Sequence, residues 1–313
     1  MLTMPVFFFP STIITIDDDL LFLKSLNLLL PQFTLQQFCK PKEVLNFFNN
    51  YHSPLTRINF LKSYTDYDFY STSKHMLVDF DLPCLYELSK HREIENEISV
   101  IIVDYHMQEM NGIQLCQTLR HLPIKKILLT GQADHSQAIT AFNDNVIDCF
   151  IQKDSPNLAQ EIQFYTRKMA EKFYYDFTQP MLSHISVDTE SPLTDPVFIK
   201  FFNALIVQYQ IKSYSLIDKS GSLIIVNDQN EYFCLIVHTN HSLNLFIEIN
   251  DDVPEVKEYL FHVDQKSLIP FFGIGEECWK FEPREWFKFF FKPQLLEGRE
   301  CYYWAILKLE GNL

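Results

Sequence analysis

Short apolar runs alternate with longer amphipathic stretches along the first half of the chain. The runs have the β-branched and apolar composition of strands: TIITI (12–16), FTLQQFC (33–39), ISVIIVD (98–104), KKILLTG (125–131) and CFIQK (149–153). The stretches between them have helical periodicity: LLFLKSLNLLL (20–30), PKEVLNFFNN (41–50), GIQLCQTLR (112–120) and SQAITAFND (136–144). Strands that alternate with helices in this way predict a doubly wound α/β domain with a five-stranded parallel sheet.

The first and third predicted strands are unusually far apart. Asp104 follows Asp18 by 86 residues, whereas a helix, a strand, a second helix and their connections need roughly 45 residues. We place the excess between about 51 and 95, where TRINFLKSYTDYDFYSTSKHM has helical segments and many tyrosines. The parallel-sheet domain is therefore predicted to span 1–155 and to carry a helical insertion, either an arm that packs on a partner subunit or a lid on the same domain.

The second half of the chain has a different order of elements. PNLAQEIQFYTRKMAEKFYYDF (156–177) predicts a long helix, and SVDTESPLTDP (186–196) has the Ser, Thr, Asp and Pro content of a domain boundary. A helix follows with Asp195 as N-cap and Pro196 at its first position. The remaining predicted elements are a hairpin in YSLIDKSGSLIIVND, a strand EYFCLIVHT, a helix DDVPEVKEYLFH and two final strands in WFKFFFKPQLLEGRECYYWAILKL. This order predicts a connector over 156–189 and an α+β domain with an antiparallel sheet over 190–313.

Composition and charge narrow the class of protein. The formal net charge of −14 argues against binding to a phosphate backbone, so we do not expect direct DNA binding. The FKFFFK stretch (287–292) would suit base stacking, but alternation in an aromatic strand explains it more simply. Seven scattered cysteines without C-x-x-C spacing indicate a reducing compartment, and no run approaches the length of a membrane helix. We therefore expect a soluble, cytoplasmic protein.

Polar residues stand at the carboxyl ends of four predicted strands: Asp17 and Asp18, Asp104, Thr130, and Lys153. In a doubly wound sheet these ends meet at one edge, where ligands bind. Alone, the acidic triplet at 17–19 is typical of a solvated strand end. Together with the other three groups it favours a cation site, with Asp19 as the N-cap of the next helix. Carboxylates suit Mg²⁺, and a hydroxyl and an ammonium suit a phosphoryl group, so we predict Mg²⁺-dependent phosphoryl transfer to a carboxylate.

The motifs IDDD, VIIVDYHMQEMNG, KILLTG and FIQK together resemble those of two-component response-regulator receiver domains. The resemblance covers about 12–175, apart from the insertion. It implies that Asp104 accepts a phosphoryl group from a sensor histidine kinase. The Mg²⁺ ligands that it implies are Asp17, Asp18, Asp104 and the backbone carbonyl of His106.

The same resemblance implies roles for three further residues. Thr130 would contact the phosphoryl group, Lys153 would pair with it, and Phe150 would act as the aromatic switch that couples Thr130 to the surface of the last strand and helix. An ordinary core residue is the alternative interpretation of Phe150. Gln108 and Asp154 depart from the family pattern, which usually has proline at both positions.

The C-terminal half resembles a poorly characterised output domain that follows receivers in bacterial response regulators, including regulators of quorum sensing. The resemblance rests on DPVFIKFF, YSLIDKSGSLIIVND, LIVHT, IPFFG and CYYWAIL. We expect a non-enzymatic regulator that dimerises on phosphorylation and controls signalling or gene expression through a protein partner or a bound small molecule. The alternative is a receiver that controls an enzyme or a nucleic-acid-binding protein formed by the C-terminal domain.

Overall fold

The structure, a computed structural model, describes residues 4–57, 61–66, 75–80, 92–131, 134–185, 192–276 and 278–309. The chain divides into two compact units. The first, here called the parallel-sheet unit, comprises Phe9–Asn59 and His91–Phe177. The second, here called the antiparallel-sheet unit, comprises Met1–Phe8, Phe60–Lys90 and Thr178–Leu313.

The elements of the described residues are as follows. The strands are β1 (Phe7–Phe8), β2 (Thr12–Ile16), β3 (Thr34–Phe38), β4 (Leu61–Asp66), β5 (His75–Phe80), β6 (Ile98–Asp104), β7 (Lys125–Thr130), β8 (Cys149–Gln152), β9 (Ile211–Leu216), β10 (Leu223–Asn227), β11 (Tyr232–Thr239), β12 (Ile269–Pro270), β13 (Phe290–Phe291), β14 (Gln294–Glu297) and β15 (Cys301–Lys308). The α-helices are α1 (Leu20–Leu29), α2 (Pro41–Asn50), α3 (Gly112–Thr118), α4 (His135–Asn143), α5 (Leu158–Ile185), α6 (Pro196–Tyr209), α7 (Asn240–Asn250) and α8 (Lys257–Asp264). Within the described part of the chain, none of these helices is long and apolar enough to cross a membrane.

The parallel-sheet unit confirms the predicted α/β architecture. Its five parallel strands lie in the order β3-β2-β6-β7-β8. Every residue of β2 and β6 is buried, because both strands lie inside the sheet and both of its faces are covered. The largely apolar character of ISVIIVD follows from this position.

Helix ends in this unit are fixed by local hydrogen bonds. Asp19 is the N-cap of α1, as predicted: its carboxylate accepts from the amides of Leu21 and Phe22 at 2.8 and 3.3 Å. Asn111 caps α3 in a reciprocal pair with Gln114, in which each side chain accepts from the backbone amide of the other residue. These caps determine where the chain leaves the carboxyl ends of β2 and β6.

The antiparallel-sheet unit has a six-stranded sheet in the order β1-β9-β10-β11-β15-β14. Aromatic residues of α6 pack on one face, with the rings of Phe201 and Trp304 4.7 Å apart. The other face contacts α7 and α8 through a cluster that includes Ile236, Leu243 and Val263. The α+β class and the antiparallel sheet predicted from the sequence are thus confirmed.

The first strand of the chain belongs to this second sheet. Phe7 and Phe8 pair antiparallel with Ser215 and Tyr214 of β9, and Val6 and Phe7 are fully buried. The first eight residues are therefore grouped with the antiparallel-sheet unit, whereas the sequence assigns 1–155 to one domain. The predicted boundary near 189 also differs from the division at Thr178.

An aromatic cluster lies under α7 and α8 and accounts for part of the high phenylalanine content. Phe272 packs against five aromatic rings at centroid distances of 5.0–6.1 Å.

The prediction of a strand over FKFFFK is largely wrong: Pro283–Phe289 is a 3₁₀ helix, and only Phe290–Phe291 are extended. Pro283 starts the helix, and the burial of Trp286 in the cluster stabilises it against the strand propensity of the phenylalanines.

The described part of the predicted insertion differs from the helical expectation. Strands β4 and β5 form a two-stranded antiparallel sheet, and two short 3₁₀ helices, Pro54–Arg57 and Arg92–Asn96, lie in the same stretch. Each of the segments LKSYTD and HMLVDF contains one β-branched and one aromatic residue, types that favour strands. The roles as an arm or a lid stay predictions.

Candidate functional site

Three carboxylates meet at the carboxyl edge of the parallel sheet. Asp17 and Asp18 follow β2 directly, and Asp104 is the last residue of the neighbouring strand β6. One oxygen from each carboxylate lies within 4.8 Å of the other two. Asp17 and Asp104 are buried whereas Asp18 is exposed, so the cluster is open to solvent on one side.

The ammonium of Lys153 connects two of these acids. Lys153 follows β8, and its Nζ lies 2.6 Å from Asp17 Oδ2 and 2.7 Å from Asp104 Oδ1. The same ammonium lies 4.6 Å from the centroid of the Phe22 ring, a cation–π contact that the sequence analysis missed. Phe22 lies in the first turn of α1, and the only signal for it in the sequence is its proximity to the acidic triplet.

Burial and neighbouring charges shift the pKa values of Asp104 and Lys153. Burial raises the pKa of Asp104, and the charges of Asp17 and Asp18 act in the same direction, while the hydrogen bond from Lys153 lowers it. For Lys153, burial lowers the pKa, but the hydrogen bonds to Asp104 and Asp17 raise it above its ordinary value. One ammonium thus faces three carboxylates, and the site is short of positive charge.

The donor set fits Mg²⁺. This ion binds carboxylate oxygens at about 2.0–2.1 Å, so two ligands on opposite sides of it are about 4.2 Å apart. The three oxygens of Asp17, Asp18 and Asp104 lie within 4.8 Å of one another, near enough to surround a single ion directly or through its water ligands. Asp17 Oδ1 also accepts from the amide of Asp19 at 2.9 Å, which holds the Asp17 carboxylate at the edge of the sheet.

The loop after Asp104 is held by a glycine. The amide of Gly112 donates to the carbonyl of Tyr105 at 2.9 Å. A Cβ atom at position 112 would lie 2.3 Å from the Asp104 carbonyl oxygen and 2.8 Å from Leu128 Cδ1. Glycine is therefore required here because of the close approach to the backbone of the predicted acceptor.

Thr130 and Lys153 follow neighbouring strands at the same edge. Thr130 is fully buried, and its hydroxyl donates to the carbonyl of Gly131 at 2.9 Å. The Lys153 amide donates to the Thr130 carbonyl, also at 2.9 Å. The hydroxyl has no partner other than this adjacent carbonyl in the described part of the chain, so it is available for a different acceptor after a side-chain rotation.

Phe150 lies in β8 and is partly buried. Its ring packs edge-on against His135 at 5.3 Å and against Phe142 at 6.4 Å. Phe142 is 46% exposed, so this aromatic group reaches the surface of α4. The position is compatible with both interpretations of Phe150, as a switch and as a core residue.

The side chain of His106 points to solvent. It is 72% exposed, and its Nδ1 lies 3.2 Å from Oδ2 of the buried Asp134. Asp134 is a second residue that the sequence analysis missed, because it follows Thr130 in a loop and no pattern distinguishes it. The metal role of the His106 carbonyl stays a prediction.

Comparisons with known proteins agree with this geometry. Residues 86–163 match the family described as response regulator receiver domain. Residues 86–163, about a quarter of the chain, therefore have the sequence of a response regulator receiver domain, and they include Asp104, Thr130 and Lys153. No curated protein matches the chain.

Among solved structures, the chain is similar to the Legionella pneumophila response regulator LqsR. The two share 25% identity and a TM-score of 0.76, over 98% of this chain and 89% of that one. An adenylate cyclase from Rhodopirellula baltica has 17% identity and a TM-score of 0.39, over 56% of this chain and 98% of that one. A signal receiver domain from Pseudomonas fluorescens Pf-5 has 17% identity and a TM-score of 0.36, over 54% and 92%. The similarity to that response regulator extends over both sheets.

Proposed function

We propose that this chain, which contains a response regulator receiver domain, is a phosphorylation-dependent switch in two-component signalling. Asp104 accepts a phosphoryl group from a sensor histidine kinase, with Mg²⁺ bound by Asp17, Asp18, Asp104 and the His106 carbonyl. The observation that carries the proposal is the ion pair of Lys153 with Asp104 beside two further carboxylates. A role in quorum sensing stays a prediction from the sequence.

The chemistry follows from the charges at the site. A carboxylate oxygen of Asp104 attacks the phosphorus of the donor's phosphohistidine, the phosphorus–nitrogen bond breaks, and the leaving imidazole takes up a proton. The product is an acyl phosphate. Bound Mg²⁺ supplies positive charge to the phosphoryl oxygens. The Lys153 ammonium moves from the Asp104 carboxylate to the phosphoryl group, because the negative charge is now on the phosphoryl oxygens, and forms an ion pair with it as a point charge.

Thr130 then transmits the change. A phosphoryl oxygen is a stronger acceptor than the Gly131 carbonyl, so the Thr130 hydroxyl rotates towards Asp104. Phe150 and the surface of β8, α4 and α5 adjust, and the population shifts to a state that dimerises and repositions the output domain. Because the output region lacks an assigned nucleic-acid-binding motif, we propose that it acts through a protein partner or a small molecule.

Acetyl phosphate tests the acceptor. The full chain is incubated with acetyl phosphate and Mg²⁺, and its intact mass is measured. We expect the addition of one phosphoryl group to the natural chain. This addition should not occur when Mg²⁺ is chelated, nor in Asp104→Asn. It should still occur in Asp144→Asn, a control at an exposed carboxyl on the end of α4. Labelling of Asp104→Asn to the level of the natural chain would refute the proposal.

A second experiment tests the switch separately from the acceptor. Thr130→Val removes the hydroxyl and keeps the shape of the buried side chain. We expect this variant to accept the phosphoryl group but to stay monomeric, while the phosphorylated natural chain dimerises in analytical ultracentrifugation. If both chains dimerise equally, Thr130 has no role in the switch; if neither does, phosphorylation does not drive dimerisation.

A further inference from the structure

A cleft of about 680 Å³ opens at the amino end of the parallel sheet, away from the carboxylate cluster. Its described lining comes from α2 and the segment that follows it, from the 3₁₀ helix Arg92–Asn96, from the first residues of β2 and β6, and from the middle of β3. The lining residues include Gln36, Phe47, Tyr51, His52, Glu93 and Asn96. Neither the proposed phosphorylation nor the metal site uses any of them.

The cleft is separated from the phosphorylation site by the length of the sheet. Thr12 and Ile98 begin β2 and β6, and Asp17 and Asp104 lie at the other ends of the same strands. At about 3.3 Å per residue, the two ends are about 16–20 Å apart. A ligand in the cleft would therefore not contact the acidic cluster.

One wall of the cleft is flat and aromatic. The rings of Phe47 and Tyr51 stack at 5.6 Å with an interplanar angle of 27°. Phe47 also contacts Phe38 and Phe48, at 5.7 and 5.3 Å, so the wall is backed by further rings. Such a surface favours the face or the edge of a planar molecule.

A buried carboxylate fixes this wall. Glu97 is 2% exposed and accepts from the Tyr51 hydroxyl, the Ser53 hydroxyl and the Leu55 amide at 3.1, 2.5 and 3.1 Å. The Tyr51 oxygen in turn accepts from the Ile98 amide at 2.8 Å. Tyr51 is thus held at both sides, and the cleft is largely pre-formed, as binding sites for small molecules usually are.

Polar groups also line the cleft. The side chains of Gln36, His52 and Asn96 form no hydrogen bond among the residues that the structure describes, so their donors and acceptors are available to a ligand. Glu93 is exposed, and Glu97 lies behind the wall. Among the described lining residues, Glu93 is the one that has a carboxyl group, and none is lysine or arginine.

We propose that this cleft binds a small planar organic cation, with its ring against Phe47 and Tyr51 and its charged group near Glu93. The aromatic wall supplies a stacking surface, and the acid attracts a cation and repels a phosphate or a carboxylate. The amides of Gln36 and Asn96 provide hydrogen bonds that fix its orientation. The site would give the receiver a small-molecule input that is separate from phosphorylation.

Four probes separate the contributions of ring and charge. Tryptamine has a planar ring and an ammonium, indole has the ring alone, propylamine has the ammonium alone, and indole-3-acetate has the ring with a negative charge. Binding to the full chain is measured by isothermal titration calorimetry. We expect tryptamine to bind most tightly and indole-3-acetate at least tenfold more weakly. Equal or tighter binding of indole-3-acetate would overturn the proposal, as would an absence of tryptamine binding.

Substitutions in and near the cleft test whether the probe binds there. Glu93→Gln should weaken tryptamine binding by roughly threefold, the effect of one exposed charge, and should leave indole binding unchanged. Glu43→Gln is the matched control, since Glu43 is an exposed acid on the same helix as Phe47 but does not line the cleft. Asn96→Trp fills the exposed rim and should abolish binding of tryptamine and indole. Equal losses in Glu93→Gln and Glu43→Gln, or full binding by folded Asn96→Trp, would contradict the assignment.

Discussion

The ammonium of Lys153 lies 2.7 Å from the carboxylate of Asp104, across the gap between the ends of β8 and β6. The same ammonium lies 2.6 Å from Asp17, so one partly exposed cation is shared by two carboxylates that are nearly inaccessible to solvent. An unpaired carboxylate in such a position is costly. Lys153 is therefore both a structural and a reactive group.

Removal of this cation is expected to destabilise the parallel-sheet unit. In the absence of Mg²⁺, Lys153→Met should lower the free energy of unfolding by about 2–3 kcal/mol, because Asp17 and Asp104 lose their partner. Added Mg²⁺ should restore more stability to the variant than to the natural chain. Urea unfolding followed by circular dichroism measures both effects.

Lys172→Met is the control for this prediction. Lys172 pairs with Asp176 on the surface of α5, and the loss of such a pair costs less than about 1 kcal/mol. Equal destabilisation by the two variants would show that the Lys153 contacts contribute nothing special to stability.

Gly112→Ala is expected to disturb the acceptor loop. The new Cβ would lie 2.3 Å from the carbonyl oxygen of Asp104, and backbone at the end of a central strand cannot move away easily. We expect a loss of about 2 kcal/mol in stability, as for other overpacked sites, and slower phosphorylation by acetyl phosphate.

The matched control is Gly131→Ala, where the nearest atom to a new Cβ is Asp134 Oδ2 at an ordinary 3.7 Å. This variant should unfold within about 0.5 kcal/mol of the natural chain, as substitutions without steric conflict usually do. A Gly112→Ala chain that is as stable and as reactive as Gly131→Ala would contradict the close packing of the acceptor loop.

Asp195 should make the antiparallel-sheet unit sensitive to acid. It is 1% exposed and accepts from the Val197 amide, the Arg299 amide and the Tyr302 hydroxyl at 2.8, 2.6 and 2.9 Å. Burial raises the pKa of its carboxyl group, but these hydrogen bonds hold it below the ordinary value of 3.8. A lowered folded-state pKa stabilises the fold above the unfolded-state pKa, and this stabilisation is lost as the pH falls through the folded-state pKa.

Asp195→Asn tests this dependence. At pH 7 the variant should be less stable by about 1–2 kcal/mol, because the amide cannot accept all three hydrogen bonds. The difference should shrink as the pH falls below the ordinary value of 3.8, because the unfolded natural chain takes up the proton there while the folded carboxylate is still ionised. Tryptophan fluorescence during urea unfolding is a specific probe, since the chain's three tryptophans are Trp279, Trp286 and Trp304. A difference that is constant from pH 7 to pH 3 would contradict the prediction.

Phe7 tests the assignment of the N-terminal strand. The side chain is fully buried in β1, which pairs with β9, so Phe7→Ala should cost about 3–5 kcal/mol. The loss should be seen in the tryptophan-reported transition. Val207→Ala, at a position that is 80% exposed, should change it by less than about 0.5 kcal/mol. An unchanged tryptophan transition in Phe7→Ala would show that β1 does not stabilise the antiparallel-sheet unit.

The parallel sheet and the site edge were predictable for a physical reason. A strand buried on both faces, such as ISVIIVD, has an apolar sequence that few other structures explain, and the chain leaves each such strand at the same edge. The positions of Asp17, Asp104 and Lys153 follow from that rule alone.

Long-range pairing and tertiary packing set the limits of prediction. The two phenylalanines of β1 carry no information about their partner, which is more than two hundred residues away in β9. The 3₁₀ helix over Pro283–Phe289 depends on burial of Trp286 in the aromatic cluster, which overrides local strand propensity. The contact of Lys153 with Phe22 likewise requires the assembled sheet.

The most direct test is to locate the phosphoryl group. The full chain is phosphorylated with acetyl phosphate and Mg²⁺, reduced with borohydride, digested, and analysed by peptide mass spectrometry. Borohydride converts an aspartyl phosphate to homoserine, which marks the acceptor permanently. We expect homoserine at position 104 and at no other aspartate. Homoserine at another position, or its absence from a chain that is folded and binds Mg²⁺, would contradict the assignment of Asp104 as the phospho-acceptor.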